Sequence, residues 1–520
     1  MEISVETVTK APRTLPFKVG SRLLARNTAV NMAGQIIPLV VGVATMSYVI
    51  RHLGPDRFGL LSIAWLVVGY FTLLDFGIGP ATTKFVAELL GKGEIERLPA
   101  LVWTALLTQT GFGVVAGLLF AAGTPVLTDH LLKIPPYLRS EAHWVFLILA
   151  VSLPIGMASG TFQGVLCASQ RFDLVNVISI PTMMLYYLLP AAVLALGFGL
   201  RAIVLSLVLS RLVAFGGYIL FSLRLYPVIG RVVTYHRSLV RSLLGFGSWF
   251  TASSLVLGIH LYADRFLIGI LSSVAAVGFY TPPFMIASKM TILPGSLTAA
   301  LFPAFSTSQG RGDGEWIRNA MIRSIKYILL IVGAVALALA FFARPILTLW
   351  VGARFAAEGT TVLQILAMGV LLSSLALVPY NLLQGIGRPD LPAKFYLLEV
   401  PIHLGFLWFL TTRYGLPGAA LAWAIRMGLD LVLHIVAACR LTKISPRVLV
   451  GTDLQRTITS LVALTLGFSV LWSLSHALLT HVLGALLLAA GFSLGAWRFV
   501  LDLEERGQVR QWLKRRQAVV

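Results

Sequence analysis

Four basic side chains stand inside runs of mostly apolar residues: Arg211, Arg265, Lys289 and Arg426. Four acids share that setting: Asp75, Asp264, Glu399 and Asp430. Ionisable groups within long apolar segments are costly, and they usually face a bundle interior or a water-filled cavity. Two chemistries fit them. Arginine engages phosphate oxygens through paired N–H donors and lysine adds a mobile point charge, so the four bases would make a cationic cavity for a pyrophosphate. A buried carboxylate can instead take up a proton or a cation, which makes the four acids candidates for driving transport. Equal numbers leave a third reading, in which each base neutralises one acid.

Spacing sorts these residues further. Asp430 follows Arg426 by one helical turn on the same face, with His434 a turn beyond. Arg265 adjoins Asp264, but neighbouring helical residues diverge by about 100° and need not pair. Arg211 has no acid at 207, 208, 214 or 215. Lys289 lies between Pro282-Pro283 and Pro294, which can kink its helix. His260, His403 and His434 fit helix packing or proton transfer, and Tyr70, Tyr186, Tyr187, Tyr262, Tyr280 and Tyr380 fit sugar stacking or interfacial packing.

The elements that must position these groups are membrane helices. Of the 520 residues, 57% are hydrophobic and 12% charged, against about 25% charged in soluble domains. Disorder is excluded by the same numbers. Two cysteines, Cys167 and Cys439, make no disulfide framework. Spans need about 20 apolar residues. Such runs occupy roughly 27–50, 60–79, 98–123, 142–168, 174–199, 202–223, 243–271, 273–303, 324–343, 360–386, 391–412, 416–439, 457–476 and 480–501. The expected fold is therefore an all-α integral membrane protein with fourteen transmembrane helices.

The net charge of +20 would suggest nucleic acid in a soluble chain, but in a membrane chain it orients the helices. With both termini cytoplasmic and bases near a span end counted with the adjoining loop, 29 of the 41 Lys and Arg fall on the cytoplasmic side, 8 fall outside, and four lie deep within spans. Residues 1–26 read as a basic cytoplasmic tail without a signal peptide. Residues 502–520 read as a second basic tail, with an interfacial helix near Trp512.

The chain also resembles itself. Arg171-Phe172-Asp173-Leu174 reappears as Arg388-Pro389-Asp390-Leu391, Gly199-Leu200 as Gly415-Leu416, and Arg211 as Arg426, at offsets of 215 to 217. These offsets define two six-helix lobes, 27–223 and 243–439, joined by a cytoplasmic linker at 224–242 and followed by two C-terminal helices within 440–501. An even helix number gives the lobes one orientation, so they form a parallel repeat about the membrane normal, with a cleft between them. Arg211 and Arg426 are expected to face each other across it.

The first two spans carry Arg51-His52-Leu53-Gly54-Pro55-Asp56-Arg57-Phe58-Gly59, then Gly69-Tyr70-Phe71 and Leu74-Asp75-Phe76-Gly77-Ile78-Gly79; later comes Leu383-Gln384-Gly385-Ile386-Gly387-Arg388-Pro389-Asp390-Leu391-Pro392. The glycines read as architecture: a tight turn after Leu53, and close approach or loosening at Gly77 and Gly79. This pattern resembles the polysaccharide-biosynthesis flippases that export lipid-linked O-antigen or exopolysaccharide repeat units. They belong to a wider superfamily with the multidrug/toxin extrusion transporters and the lipid II flippase. The resemblance implies an undecaprenyl-pyrophosphate-linked oligosaccharide substrate, the bacterial cytoplasmic (inner) membrane, and cooperation with glycan polymerase machinery. Membrane lipids and a coupling proton or sodium ion complete the expected partners, with no nucleic acid and no cofactor.

Enzyme motifs are missing: there is no Walker A sequence, HExxH or Gly-x-Ser-x-Gly, and no hydrophilic domain of ATPase size. A glycan polymerase would need a large external loop, whereas the longest here, near 124–141, has about 18 residues. The other rival is a cation-coupled multidrug antiporter. Such transporters often carry an acidic site in span 1, and Asn27–Ile50 has no acid.

Overall fold

A computed structural model describes residues 21–73, 75–298, 301–445, 451–474, 478–507 and 510–511. The tail before residue 21, the turn at 475–476 and the segment around Trp512 lie outside the described residues.

The architecture is all-helical. Its helices are α1 (Ser21–Leu73), α2 (Ile78–Lys92), α3 (Leu98–Val126), α4 (Pro136–Ala168), α5 (Phe172–Ala195) and α6 (Leu200–Leu225). They continue with α7 (Arg237–Leu271), α8 (Val274–Lys289), α9 (Ile292–Thr298), α10 (Leu301–Gly310), α11 (Gly314–Phe341) and α12 (Ala343–Val351). The last are α13 (Ala353–Gly385), α14 (Asp390–Thr442), α15 (Thr452–Leu474) and α16 (Leu478–Gly495). Among the described residues ten helices are long and apolar enough to cross a membrane. Large side chains on their outer faces stay bare, including Leu119 at 70%, Val151 at 71% and Leu487 at 75% exposure. So much uncovered apolar surface requires lipid as solvent.

Two helices of the fold, α1 and α14, are doubled. In α1 the chain reverses at Gly54 (φ 71°, ψ 174°), and in α14 it does so at Gly415 (φ 61°, ψ −137°). Both positions need a backbone that a side chain would oppose.

Three boundaries differ from the sequence expectation. The span expected at 60–79 breaks at Asp75–Gly77 and resumes as α2 to Lys92, because the Asp75 carboxylate satisfies the amides at the restart. The span expected at 273–303 runs through Pro282-Pro283 unbroken and is interrupted after Lys289, with Pro294 early in α9. Helix α11 starts ten residues before 324, at Gly314, where Asp313 Oδ1 accepts the Trp316 amide at 2.9 Å.

The main core joins both halves of the chain. Met46, Val49 and Phe58 of α1, Phe146 of α4, Tyr280 of α8 and Leu363 of α13 are buried in one cluster. A second core lies among α2, α3, α4 and α6, around Ile78, Val102, Phe162 and Tyr218. Helix α1 packs on α8 and α5, α13 on α14 and α11, and α4 on α3 and α6.

The repeated Arg-x-Asp turns adopt one conformation. Residues Gln170 (φ 56°) and Gly387 (φ 80°) are left-handed, and the amides of Arg171 and Arg388 reach back to Leu166 O and Leu383 O at 3.0 and 2.9 Å. In each turn the arginine clamps the aspartate two residues on, Nε to Oδ1 at 2.9 Å. The Arg388 hydrogen bond, with help from Lys394, holds Asp390 well below the ordinary carboxylate range.

The segment around Glu505 is fastened to α11. Lys326 Nζ lies 2.6 and 2.8 Å from the two Glu505 oxygens, and the Tyr327 hydroxyl donates to Glu505 Oε1 at 2.6 Å. Asp502 and Glu505 also cap each other, at 2.9 and 2.7 Å. Burial raises the Glu505 carboxyl, but the bonds from Lys326 and Tyr327 outweigh it and leave it lowered.

Candidate functional site

The charged residues within the apolar helices fall into three neighbourhoods. The first is the break in the second span. Phe76 (φ 53°) and Gly77 (φ 65°) are left-handed, and Asp75 accepts the Gly77 amide through Oδ1 at 2.8 Å and the Gly79 amide through Oδ2 at 3.2 Å. Its carboxylate thus caps the N-terminus of α2, where the helix dipole favours an anion. Gly77 lies on Gly247 of α7 so closely that a Cβ would come within 2.5 Å of its Cα. The expected close approach at Gly77 is seen there. Nearby, buried Gln109 accepts from the Thr161 hydroxyl while its own Nε2 has no partner.

The second neighbourhood runs across the interface between the two halves. Arg211 of α6 is half-buried, donates to the Thr72 hydroxyl at 3.3 Å, and passes so near Gly156 that a Cβ there would be 2.7 Å from Nη1. Tyr186 of α5 packs edge-on to Tyr187 at 5.6 Å, and Arg211 and, on α7, Tyr262 are within electrostatic range of it. Tyr262 packs edge-on to Tyr70 at 6.4 Å. Arg265 stands over the Tyr262 ring at 5.7 Å and over Phe284 at 4.4 Å. Two arginines from opposite halves are therefore linked by tyrosines. The Arg265 guanidinium meets Asp264 through a long 3.5 Å contact, as divergent helical positions suggest, while its amide donates to Asp264 Oδ1 at 2.8 Å and its Nη2 to Leu261 O at 2.5 Å. Asp264 is buried at 2% exposure with one oxygen unpartnered, beside the equally buried Tyr280. Lys289 is exposed at the end of α8, where the helix breaks.

The third neighbourhood is buried among α7, α13 and both limbs of α14. Arg426 Nη1 lies 3.3 Å from Glu399 Oε2, with 9% and 0% side-chain exposure. Asp430 adjoins the same pair, and His434 Nδ1 is 3.1 Å from Asp430 Oδ1. His260 reaches Tyr396 O at 3.0 Å and lies 6.3 Å, ring to ring, from His403. Tyr380, Phe395 and Tyr396 surround His434. Unpartnered atoms concentrate here: Glu399 Oε1, Arg426 Nε, His260 Nδ1, His434 Nε2 and both His403 nitrogens. Two carboxylates against one guanidinium leave a net negative charge when the histidines are neutral, a composition suited to a proton or small cation.

This geometry corrects the expected arrangement. Arg426 pairs with Glu399, 27 residues away, rather than with its helical neighbour Asp430. It pairs with Glu399 in the buried cluster, whereas Arg211 donates to Thr72 and Arg265 stands over Tyr262 and Phe284. Equal spacing along the chain does not set side-chain direction, which depends on the neighbours that packing supplies. Thr72, Gly156 and Gln109 were not singled out by sequence, since a hydroxyl, a glycine and an amide carry no signal until a neighbour meets them.

Comparison with known proteins supplies the family. The model described as "Polysaccharide biosynthesis protein" matches residues 24–309, more than half of the chain. The chain belongs to the polysaccharide biosynthesis protein family. A second model, MatE, matches 251–409. The Shigella flexneri protein named "Putative O-antigen transporter" is 25% identical over 414 residues, spanning 79% of this chain and 96% of its own. The inward closed conformation of the lipid II flippase MurJ superposes with a TM-score of 0.69 at 12% identity, over 89% of this chain and 98% of that one. An inward-facing multidrug resistance MATE family transporter of the MOP superfamily gives 0.65 at 16% identity, over 78% and 94%. The fold is thus the all-helical, multi-span membrane fold of MATE and MurJ.

Proposed function

We propose that this membrane protein is a flippase that moves an undecaprenyl-pyrophosphate-linked oligosaccharide repeat unit from the cytoplasmic to the outer leaflet of the bacterial inner membrane, for O-antigen or exopolysaccharide biosynthesis. The observation that carries this reading is the Arg211–Tyr186–Tyr262–Arg265 array between the halves. Planar guanidinium forks suit phosphate oxygens and tyrosine faces suit sugar rings. Near-complete coverage of the Shigella flexneri relative supports the substrate class.

In this reading the chain crosses the membrane fourteen times with both termini cytoplasmic. Lobes 27–223 and 243–439 rock about the array while the polyprenyl tail stays in lipid. Arg211 and Arg265 hold the phosphates, and Lys289 adds a third charge at the break after α8. Arg426 belongs to the carboxylate cluster, where Glu399 and Asp430 are the groups that bind a coupling proton or sodium ion. Asp264 is a second candidate, and Asp75 is assigned to capping α2. Glycan polymerase machinery would take the product at the outer leaflet.

A deletion strain should accumulate lipid-linked repeat units on the cytoplasmic leaflet. Arg211→Ala and Arg265→Ala should each fail to relieve this at matched membrane levels, and Arg211→Lys should relieve it in part. Full export by both alanine variants would dismiss the array as the phosphate site. The MatE match favours one rival, a cation-coupled multidrug antiporter. Normal glycan export with altered drug resistance in the deletion strain would select that rival.

A further inference from the structure

Two basic residues on the charge-poor outer side have no place in the substrate reading, and both reach across to the other half of the chain. Arg51, at the end of the first limb of α1, donates through Nε to Trp350 O at 3.1 Å and through Nη2 to Leu349 O. The Ser47 hydroxyl donates to the same Trp350 O, and the Trp350 indole donates back to Val43 O at 2.7 Å. Leu349 and Trp350 are in the last turn of α12 (Ala343–Val351), whose final carbonyls have no partner within their own helix.

Lys133, before α4, repeats the device at a second helix end. Its amide donates to Gly269 O at 3.1 Å and its Nζ to Leu271 O at 2.5 Å, both in the last turn of α7, while its own carbonyl accepts from Val274 at 3.5 Å. A cation at a helix C-terminus is favoured by the helix dipole as well as by the hydrogen bonds. Two other bases on this side are engaged within the first half: Arg57 pairs with Glu141 at 2.9 Å, and Arg201 lies over Trp144.

Between the two contacts the backbones touch directly. A Cβ on Gly59 would sit 1.9 Å from Val274 O, and one on Gly278 would sit 2.2 Å from Pro55 O. At the opposite face, by contrast, α7 meets the first half through Gly77 on Gly247, Phe85 against Phe246, and Lys84 over Phe246. The outer seam thus combines direct backbone contact with exposed, charge-assisted bonds onto helix ends, and water can replace those bonds when the halves part. That property suits a gate that must open in every cycle.

We propose that Arg51 and Lys133 are the residues that hold the outer gate shut, each as a basic side chain of the first half seated on helix C-terminal carbonyls of the second. The assignment of a gate rests on the transporter reading with halves that rock; the test is conformational and independent of any substrate. Cys167→Ser and Cys439→Ala remove both cysteines of the chain. Spin labels at Tyr137→Cys and Glu358→Cys, both exposed on the outer face of opposite halves, then report the gap by double electron–electron resonance in nanodiscs.

The parent should give a dominant short distance. Arg51→Ala/Lys133→Ala should raise the population of a longer distance at least fivefold, and Arg51→Lys/Lys133→Arg should restore the short one. Gly278→Val, which crowds Pro55 O without touching either base, is the control that the labels register opening. An unchanged distribution in the alanine variant, with opening in Gly278→Val, would overturn the proposal. Should the double alanine variant fail to fold, Arg51→Gln and Lys133→Met singly carry the same expectation, and unchanged distances in both would overturn it equally. Loss of glycan export without a change in distance would leave the flippase reading standing and remove the gate.

Discussion

Replacing Arg426 by methionine should destabilise the protein severely, and the identity of the rescuing partner should reveal the pairing. Glu399 has 0% and Arg426 9% side-chain exposure, at 3.3 Å, so the variant leaves a carboxylate out of water with no counter-charge. Breaking a buried pair from one side costs about 3–5 kcal/mol, whereas removing both charges is often neutral or better. With neutral histidines, Glu399, Asp430 and Arg426 carry a net single negative charge. Arg426→Met doubles it, and Glu399→Gln/Arg426→Met restores it. Asp430→Asn/Arg426→Met restores it too, but leaves the direct partner Glu399 stranded. The apparent melting temperature of the purified protein, followed by loss of the monodisperse chromatographic peak on heating, should fall steeply in the single variant. It should return almost fully with Glu399→Gln and only partly with Asp430→Asn. Equal rescue by both would show that only total charge matters, and better rescue by Asp430→Asn would refute the pairing. If export also returns in the Glu399→Gln double variant, Arg426 acts by charge balance and not on substrate.

Other consequences are more local. Lys326→Met should release the C-terminal segment by stranding Glu505, at a cost of about 3–5 kcal/mol, while Lys326→Met/Glu505→Gln should recover most of it; limited proteolysis after residue 501 reads the release. Because the folded Glu505 carboxyl lies below its unfolded value, its stabilisation is present above the ordinary glutamate range, about 4.3, and is lost as pH falls through the lowered value. Proteolysis of the tail should therefore rise on acidification below that range and be insensitive to pH in Glu505→Gln. Gly113→Val should cost about 1–3 kcal/mol by overpacking, since a Cβ there would lie 2.5 Å from Pro154 Cα, whereas Gly111→Ala meets open space and should be silent in the same melting assay. Reporter fusions after Arg22 and Arg516 should both register cytoplasmic ends, and an outside signal at either would discard the orientation.

Much of this architecture was written along the chain because the bilayer reads sequence locally. An apolar run long enough to span must be helical, since its backbone groups have no other partner in lipid. The turns at Gly54 and Gly415, and the paired Arg-x-Asp turns, were likewise visible as residue types that tolerate left-handed backbone or clamp a helix start. The breaks were harder. Asp75 looked like an ion site until its carboxylate was found on the amides of Gly77 and Gly79. Pro282-Pro283 looked like a kink and passed through the helix intact.

What only the tertiary structure decided was which charge meets which. Sequence spacing constrains contacts within one helix, so Asp430 was the visible partner of Arg426, one turn away. Glu399 is 27 residues distant and on another limb, yet packing brings it within 3.3 Å. Arg211 and Arg265 have no sequence relation at all; the tyrosines between them belong to helices that meet only when the halves do. The bases at Arg51 and Lys133 gain partners only in the folded chain, where two helix ends from the other half lie beneath them. Burial in lipid fixes the helices one at a time, but partners for buried charges are chosen by the packing of helices against each other, which no local pattern records.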